Sequence, residues 1–511
     1  MRHQNLPAVP KVLVGAVAAA LFAIAGSVSA ATPTYTITDV LVPPDQYSGE
    51  ADLTPAPVWK PHETDSSSPT ASFWISSNER GAEEGPPGQT QQFDNMAGIT
   101  IFEYGTNAVL STLNIEDACI PVVLPNGTLM KQFGGCAPPG AEGHPRHPHG
   151  VEIDEAKSLA WQVIEHSGLQ WNASRTGFVK AQNTDVESGM LVKYDISDLA
   201  NPKIVAAYVT GHATEEAVVN PNNHKVYAGN HEPAATNVKC WVSVVDESKP
   251  TRPYKFIDMA NNQCVQGVGV DPELNTVNGT THFGEKMWTF DSATDTPLYS
   301  VDLRGPFNAF VASLPPNQRF TIPTGWILHF HDLDTDQVNH RAYNALHTIA
   351  AVEEIAEEDE AVEVEGPEIT GRWVAAVDTN PASPNFKKVT IIDLSNGQSV
   401  PDVPGHHDAV ATLNGSNAWE NLFIHSHFLM ADPANNSLLV SGEHTGNLAV
   451  VNTDTMTLQN VHPIARLIPN CTPDDLEPHV HGVNIQRTNG TAYVSDEGEH
   501  CFYESVTILE P

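Results

Sequence analysis

Ala217-Val-Val-Asn220, the turn Pro221-Asn-Asn, Lys225-Val-Tyr-Ala-Gly229, Trp241-Val-Ser-Val-Val-Asp246 and Tyr254-Lys-Phe-Ile-Asp258 follow one another within a single stretch of the chain. Four short runs rich in β-branched and aromatic residues, each closed by Asn, Asp or Gly, predict four antiparallel strands joined by tight turns. The pattern recurs on either side. Val268-Gly-Val-Asp-Pro272, Asn275-Thr-Val-Asn-Gly279, Met287-Trp-Thr-Phe-Asp291 and Leu298-Tyr-Ser-Val-Asp302 form a second copy. A third holds His427-Phe-Leu-Met-Ala-Asp-Pro433, Ser437-Leu-Leu-Val-Ser441 and Leu448-Ala-Val-Val-Asn452. Repeated four-strand units without a helical period are the mark of propeller blades.

Seven units are expected, near residues 54–116, 147–208, 212–258, 265–303, 326–400, 422–468 and 479–510. The last stops after Ser505-Val-Thr-Ile-Leu509, so its outer strand is expected to be Thr34-Tyr-Thr-Ile-Thr-Asp39, which closes the ring and removes open sheet edges. The fold class is thus all-β, a seven-bladed propeller of four-stranded blades closed by an N-terminal strand. Residues 42–70 read as a linker, and 304–325 as a loop between blades. Val352 to Pro367 reads as an acidic, hydrated insertion in the fifth blade.

Residues 1–30 read as a secretory signal, with Arg2 and Lys11 flanking an apolar core and Val28-Ser-Ala30 before the cleavage point. The remainder, 31–511, is expected to be one propeller domain, periplasmic or secreted, with no membrane span. Six cysteines in an exported chain favour disulfides, and sequence proximity pairs Cys119 with Cys136, Cys240 with Cys264, and Cys471 with Cys501. A formal net charge of -37 disfavours nucleic acid and anionic membranes as partners.

The chemistry lies in histidines at the blade starts. His147-Pro-His149-Gly-Val, His329-Phe-His331, His425-Ser-His427 and His479-Val-His481-Gly-Val place two imidazoles at i and i+2, and His212 stands alone before the unit quoted first. On a strand of period two, such a pair points to one side. His166, His231, His282, His444 and His500 end second strands, and His144, His406 and His407 sit in blade-to-blade loops. Because propeller strands alternate direction, most of the 23 histidines are expected to crowd one face. Gln266 takes the histidine's place in the fourth blade, and Asp378 is expected at the second-strand end of the fifth.

The expected metal ligands are His147, His149, His166, His212, His231, His329, His331, His425, His427, His444, His479 and His481. Imidazole suits Zn, Cu, Ni and Fe, and so many imidazoles exceed what one tetrahedral zinc ion uses, which favours copper with zinc as the alternative. Glu165, Glu443 and Glu497 are the expected catalytic carboxylates, orienting imidazoles or moving protons, and Glu232 could share the first task. Covalent-haem, nucleophile-elbow, phosphate-loop and zinc-protease motifs are all missing from the sequence.

The units resemble the YVTN-type propeller superfamily in His149-Gly-Val-Glu-Ile-Asp154, Lys225-Val-Tyr-Ala-Gly-Asn230, Val242-Ser-Val-Val-Asp246 and Thr491-Ala-Tyr-Val-Ser-Asp-Glu497. That resemblance implies that Asp154, Asp271, Asp332 and Asp432 make tight turns, with calcium the other reading. The architecture also resembles the propellers of nitrous oxide reductases and thiocyanate dehydrogenases. This implies a histidine-bound copper cluster doing redox chemistry on a small-molecule substrate, with electrons passed to an exported carrier. The alternative is a periplasmic metal carrier or sequestering protein without turnover, resembling propeller metallochaperones. A third reading is a binding or lyase-type propeller that uses a single Mn or Zn ion.

Overall fold

The computed structural model describes residues 34–42, 61–65, 72–78, 97–115, 118–130, 133, 146–181, 187–230, 240–259, 263–351, 369–395, 425–466, 478–497 and 505–511. The expected signal, the acidic insertion, His231, Cys136 and the Cys471–Cys501 pair lie outside them, as does the side chain of His147.

The fold is an all-β propeller. Four antiparallel strands make up each of six sheets, beginning with Pro61–Asp65, Ala217–Val219, Val265–Asp271, Trp326–Asp336, Ser426–Asp432 and Val480–Ile485. The structure therefore has six four-stranded blades rather than the seven expected. The remaining sheet, which begins with Arg146–Asp154, has seven strands. The cause is local. The second strand of this sheet, Leu159–Trp171, runs on for 13 residues, and its far end pairs with Phe178–Lys180. On the other edge, Val122–Val123 joins Lys203–His212 in parallel at Ala207.

Packing between sheets orders the blades. Pro61–Asp65 packs on Arg146–Asp154, that strand on Ala217–Val219, and so on to Val480–Ile485, which returns to Pro61–Asp65. The core lies between neighbouring sheets, because each presents alternate side chains to both of its faces. Trp161, Tyr194, Val226 and Tyr254 fill one such layer, and Leu328, Leu346 and Trp373 another. Thr36–Leu41 pairs antiparallel with Ser505–Glu510, so the N-terminal strand completes the last sheet as expected. Trp74, stacked on Phe102 at 3.9 Å, meets Tyr493 at 4.9 Å where the last sheet joins the first.

Carboxylates pin the blades to one another. An inner strand has one unpaired edge, whose buried N–H groups need acceptors. Asp65 accepts from the Ile153 N–H at 2.6 Å, Asp332 from Leu429 at 2.7 Å and Asp334 from Ala431 at 2.7 Å. At the far ends of the inner strands, Asp154 faces His224 at 2.9 Å, Asp271 faces His340 at 2.7 Å, and Asp432 accepts from the Tyr35 hydroxyl at 3.0 Å. Asp271 also caps its own turn through the Glu273 and Leu274 N–H groups. Asp271 and Asp432 are thus turn residues, as the resemblance implied, and also inter-blade ties, and Asp154 ends its strand. The expected turn at Asp332 is corrected, because the strand Trp326–Asp336 runs on past it and Asp336 caps the turn through the Val338 and Asn339 N–H groups. Close approach completes the seam, since a Cβ on Gly267 would lie 2.4 Å from the Leu333 nitrogen.

Two local expectations are corrected. The 304–325 segment contains the helix Arg304–Ser313, whose Phe307 and Val311, at i and i+4, are buried, with the Phe307 ring 5.1 Å from Trp373. Asp378 ends the third strand of its blade, Ile369–Asp378, while the second strand is Arg341–Ala351. Among the described residues no helix is long and apolar enough to cross a membrane.

Candidate metal centre

The histidine pairs do not sit on plain strands. In five inner strands the register slips where the second residue of the motif lies: between Pro148 and Val151, Val265 and Val268, Phe330 and Leu333, Ser426 and Leu429, and Val480 and Val483. His149, Gln266, His331, His427 and His481 each stand inside that irregularity. A bulge bends its strand and re-aims a side chain, and bulges gather beside functional sites for that reason. His425 adds a left-handed backbone, φ 51°, which a non-glycine residue adopts only at a cost.

The carboxylates are placed by the return of the second strand to the start of the first. The Glu443 N–H donates to the His425 carbonyl at 3.0 Å, and the Glu497 N–H to the His479 carbonyl at 3.0 Å. Glu443 opens the single helical turn Glu443–Thr445, which Gly446 closes at φ 62°. A Cβ on Gly446 would lie 2.4 Å from the Ala465 Cβ, so glycine is required there for both reasons.

The rings form a continuous cluster. His282 lies 4.1 Å from His329, His331 lies 3.7 Å from His427, and His427 lies 4.4 Å from His481. His347 is 4.7 Å from His425, which is 4.2 Å from His444. His479 joins through His481 at 5.4 Å, and His149 through His481 at 5.8 Å.

Glu443 occupies the middle of this cluster and is 5% exposed. Its Oε2 is 2.6 Å from His347 Nε2 and 3.5 Å from His444 Nε2. Its Oε1 is 3.7 Å from His427 Nε2 and in close contact with His479 Nε2. Glu497 faces His479 at 3.1 Å and His481 at 3.6 Å, and Glu165 lies 3.4 Å from both His149 and His166. Among the described residues, two sets of donor atoms are close enough to hold an ion: His347, His425, Glu443 and His444, and His427, Glu443 and His481.

Burial holds the His427 imidazole well below its ordinary range, and the neighbouring His331, His481 and His347 add to this against the opposing pull of Glu443. Its ring is therefore neutral at pH 7, as a metal ligand must be. Burial alone would raise Glu443, but the surrounding imidazoles, His427 and His479 foremost, hold it well below the carboxylate range. A buried anion ringed by nitrogen donors, with no sulfur among them, fits a borderline cation such as Cu(II) or Zn(II) and not the oxygen cages of calcium.

Of the expected ligands, the structure brings His425, His427, His444 and His481 into the two donor sets. His149, His166, His329, His331 and His479 stand around them. His212 is buried, but it ends the outer strand Lys203–His212 instead of opening Ala217–Val219. His347 was missed. Its signal was present, since Leu346-His347-Thr348 stands late in a second strand as His166 does, but the long fifth unit hid the register. Glu215 was missed too; it lies 3.5 Å from His331 and accepts from Gln266, whose side-chain Oε1 is 2.6 Å from His282 Nδ1.

The disulfide Cys240–Cys264 is present and ties two neighbouring blades beside Gln266. Cys119 is also disulfide-bonded.

The sequence matches no protein-family model and none of the curated proteins. Among solved structures, the chain is similar to Kuenenia stuttgartiensis hydrazine synthase, with 11% identity, a TM-score of 0.50, and coverage of 91% of this chain and 98% of that one. It is also similar to the β-propeller domain of Myceliophteria thermophila Cps50 (Swd1), with 9% identity, a TM-score of 0.48, and coverage of 94% and 100%. At such identities the likeness concerns the fold alone.

Proposed function

We propose that this chain is an exported, copper-dependent oxidoreductase that acts on a small molecule at the histidine face of its propeller. The observation that carries the reading is Glu443, a buried carboxylate with His347, His427, His444 and His479 around it. Burying an anion is costly unless cations or donors surround it, and this many imidazoles exceed what structural satisfaction of one carboxylate requires.

A bound copper ion would supply a one-electron redox change and Lewis acidity. The chain's own residues do the rest. The donor sets hold the ion, and the neutral His427 ring is ready to bind without losing a proton. Glu497, between His479 and His481, and Glu165, between His149 and His166, fix the orientation of their imidazoles and accept or return a proton beside the centre. An exported electron carrier receives the electrons, and the acidity of the chain favours a basic one.

The test is metal content of the purified full chain by mass spectrometry, with absorption and electron spin resonance spectra on the same sample. Bound copper that is lost in His427→Ala and His481→Ala supports the reading, and a chain that binds no metal refutes it. The second reading is a metal carrier, favoured by the partial exposure of His479 (20%) and His444 (13%) at the edge of the cluster. A redox-silent ion that passes readily to an acceptor protein would establish the carrier.

A further inference from the structure

Glu443 belongs to both donor sets, and its two oxygens face different ways. Oε2 looks towards His347 and His444, members of the first set, whereas Oε1 looks towards His427, a member of the second, and is in close contact with His479, a member of neither. Donors on one ion, each bonded at ~2.0–2.2 Å, lie no more than about 4.4 Å apart. The six side chains form two groups and not one, so a single ion cannot use them all.

The two groups also differ in completeness. His347, His425, His444 and Glu443 supply four donors, a full four-coordinate set. His427, His481 and Glu443 supply three, the number at which protein sites leave a position for water or substrate. His427 and His481 are both buried, and His427 Nδ1 has no hydrogen-bond partner among the described residues. The edge of the 427/481 set is made by Phe428, whose ring is 4.8 Å from His427 and 4.7 Å from His481. Phe428 also lines an axial cavity of about 900 Å³.

We propose that Glu443 bridges two metal ions with different duties: a closed ion held by His347, His425 and His444, and an open ion held by His427 and His481 that takes a small anionic or neutral ligand. This rests on the metal-centre reading above and adds nuclearity and a division of labour to it. Each carboxylate oxygen binds one ion, so Glu443 couples the pair. The apolar Phe428 ring limits the free position to small ligands.

The experiment is metal stoichiometry of the full chain loaded with Cu(II) and dialysed, read by mass spectrometry and spin resonance, with azide as a probe of the open position. Two coppers per chain are expected, with the spin-resonance signal diminished by coupling. His444→Ala is expected to lower the count to one and keep the azide absorption band, whereas His481→Ala lowers the count to one and abolishes the band. Glu443→Gln is expected to restore the signal of uncoupled copper or to lower the count. Far-UV circular dichroism and melting identify any variant that fails to fold, and His444→Gln and His481→Gln then replace the alanine forms. One copper per chain in the wild type overturns the bridged pair while leaving a metal centre. Two coppers with an azide band that survives His481→Ala overturns the division of duties. No copper at all overturns the functional reading with it.

Discussion

Glu443 Oε2 lies 2.6 Å from His347 Nε2, although the two residues belong to different blades and stand 96 positions apart in the chain. The contact joins the second strand of one blade to the turn after the second strand of the next, so the centre exists only when neighbouring blades are in register. His347→Ala is therefore expected to lower metal affinity by ~100-fold or more, beyond the 10–100-fold typical of residues that merely orient a ligand. Competition titration against a chelator of known affinity measures this directly, and an unchanged affinity would remove His347 from the donor set.

Acid should destabilise the metal-free protein in two stages. The His427 pKa is lower in the folded chain than in the unfolded one, so as pH falls below about 6.5 the unfolded state takes up a proton that the folded state refuses. Stability then falls by up to ~1.4 kcal/mol per pH unit for this group, until the folded-state pKa is reached. Glu443 is also depressed, and its contribution is present above about pH 4.5 and lost as pH falls through the folded value. Urea denaturation of the metal-free chain from about pH 8 down to about pH 2 measures both stages. His427→Gln should flatten the upper one and, because His427 is foremost among the groups that hold Glu443 down, move the lower one to higher pH.

The seam between blades gives a prediction that is independent of any metal. Asp332→Ala leaves the Leu429 N–H buried without its acceptor, which costs ~1–3 kcal/mol. Asp332→Asn keeps a carbonyl acceptor and is expected to cost less. Equal losses in the two variants, measured by chemical denaturation, would show that the hydrogen bond does not carry the effect.

The Cys240–Cys264 disulfide joins cysteines 24 positions apart and leads directly to Gln266 and its hydrogen bond with His282. A double Cys240→Ser, Cys264→Ser variant is expected to lose ~3 kcal/mol of stability. Because Gln266 also donates to Glu215 beside His331, the variant should bind metal more weakly even at temperatures where it remains folded. Calorimetry and metal titration on one preparation separate the two effects.

The strands, their turns and the closing N-terminal strand were legible because they depend on local properties: alternation along a pleated strand, and Asn, Asp, Gly and Pro where the chain reverses. The same locality exposed the His-x-His pairs and the Glu165-His166 and Glu443-His444 neighbours. Sequence also located the Cys240–Cys264 bridge by proximity, and it identified Asp154, Asp271 and Asp432 at the inner-strand ends without revealing that they tie one blade to the next.

The rest was decided by packing between blades. A period-two strand aims both histidines of a pair alike, but the slip at His149, His331, His427 and His481 sends them into different surroundings. The long pairing of Trp326–Asp336 with Arg341–Ala351 placed His347 at the centre and moved Asp378 to the end of the next strand. Of the extra strands on the Arg146–Asp154 sheet, Phe178–Lys180 pairs with a second strand that outruns its blade, whereas Val122–Val123 and its partner Leu129–Met130 join the opposite edge. Local sequence determined what each blade is made of and which face its histidines begin on. Only the tertiary structure decided that Glu443 stands among four of them, because that position follows from the register of three neighbouring sheets and no single stretch of chain contains it.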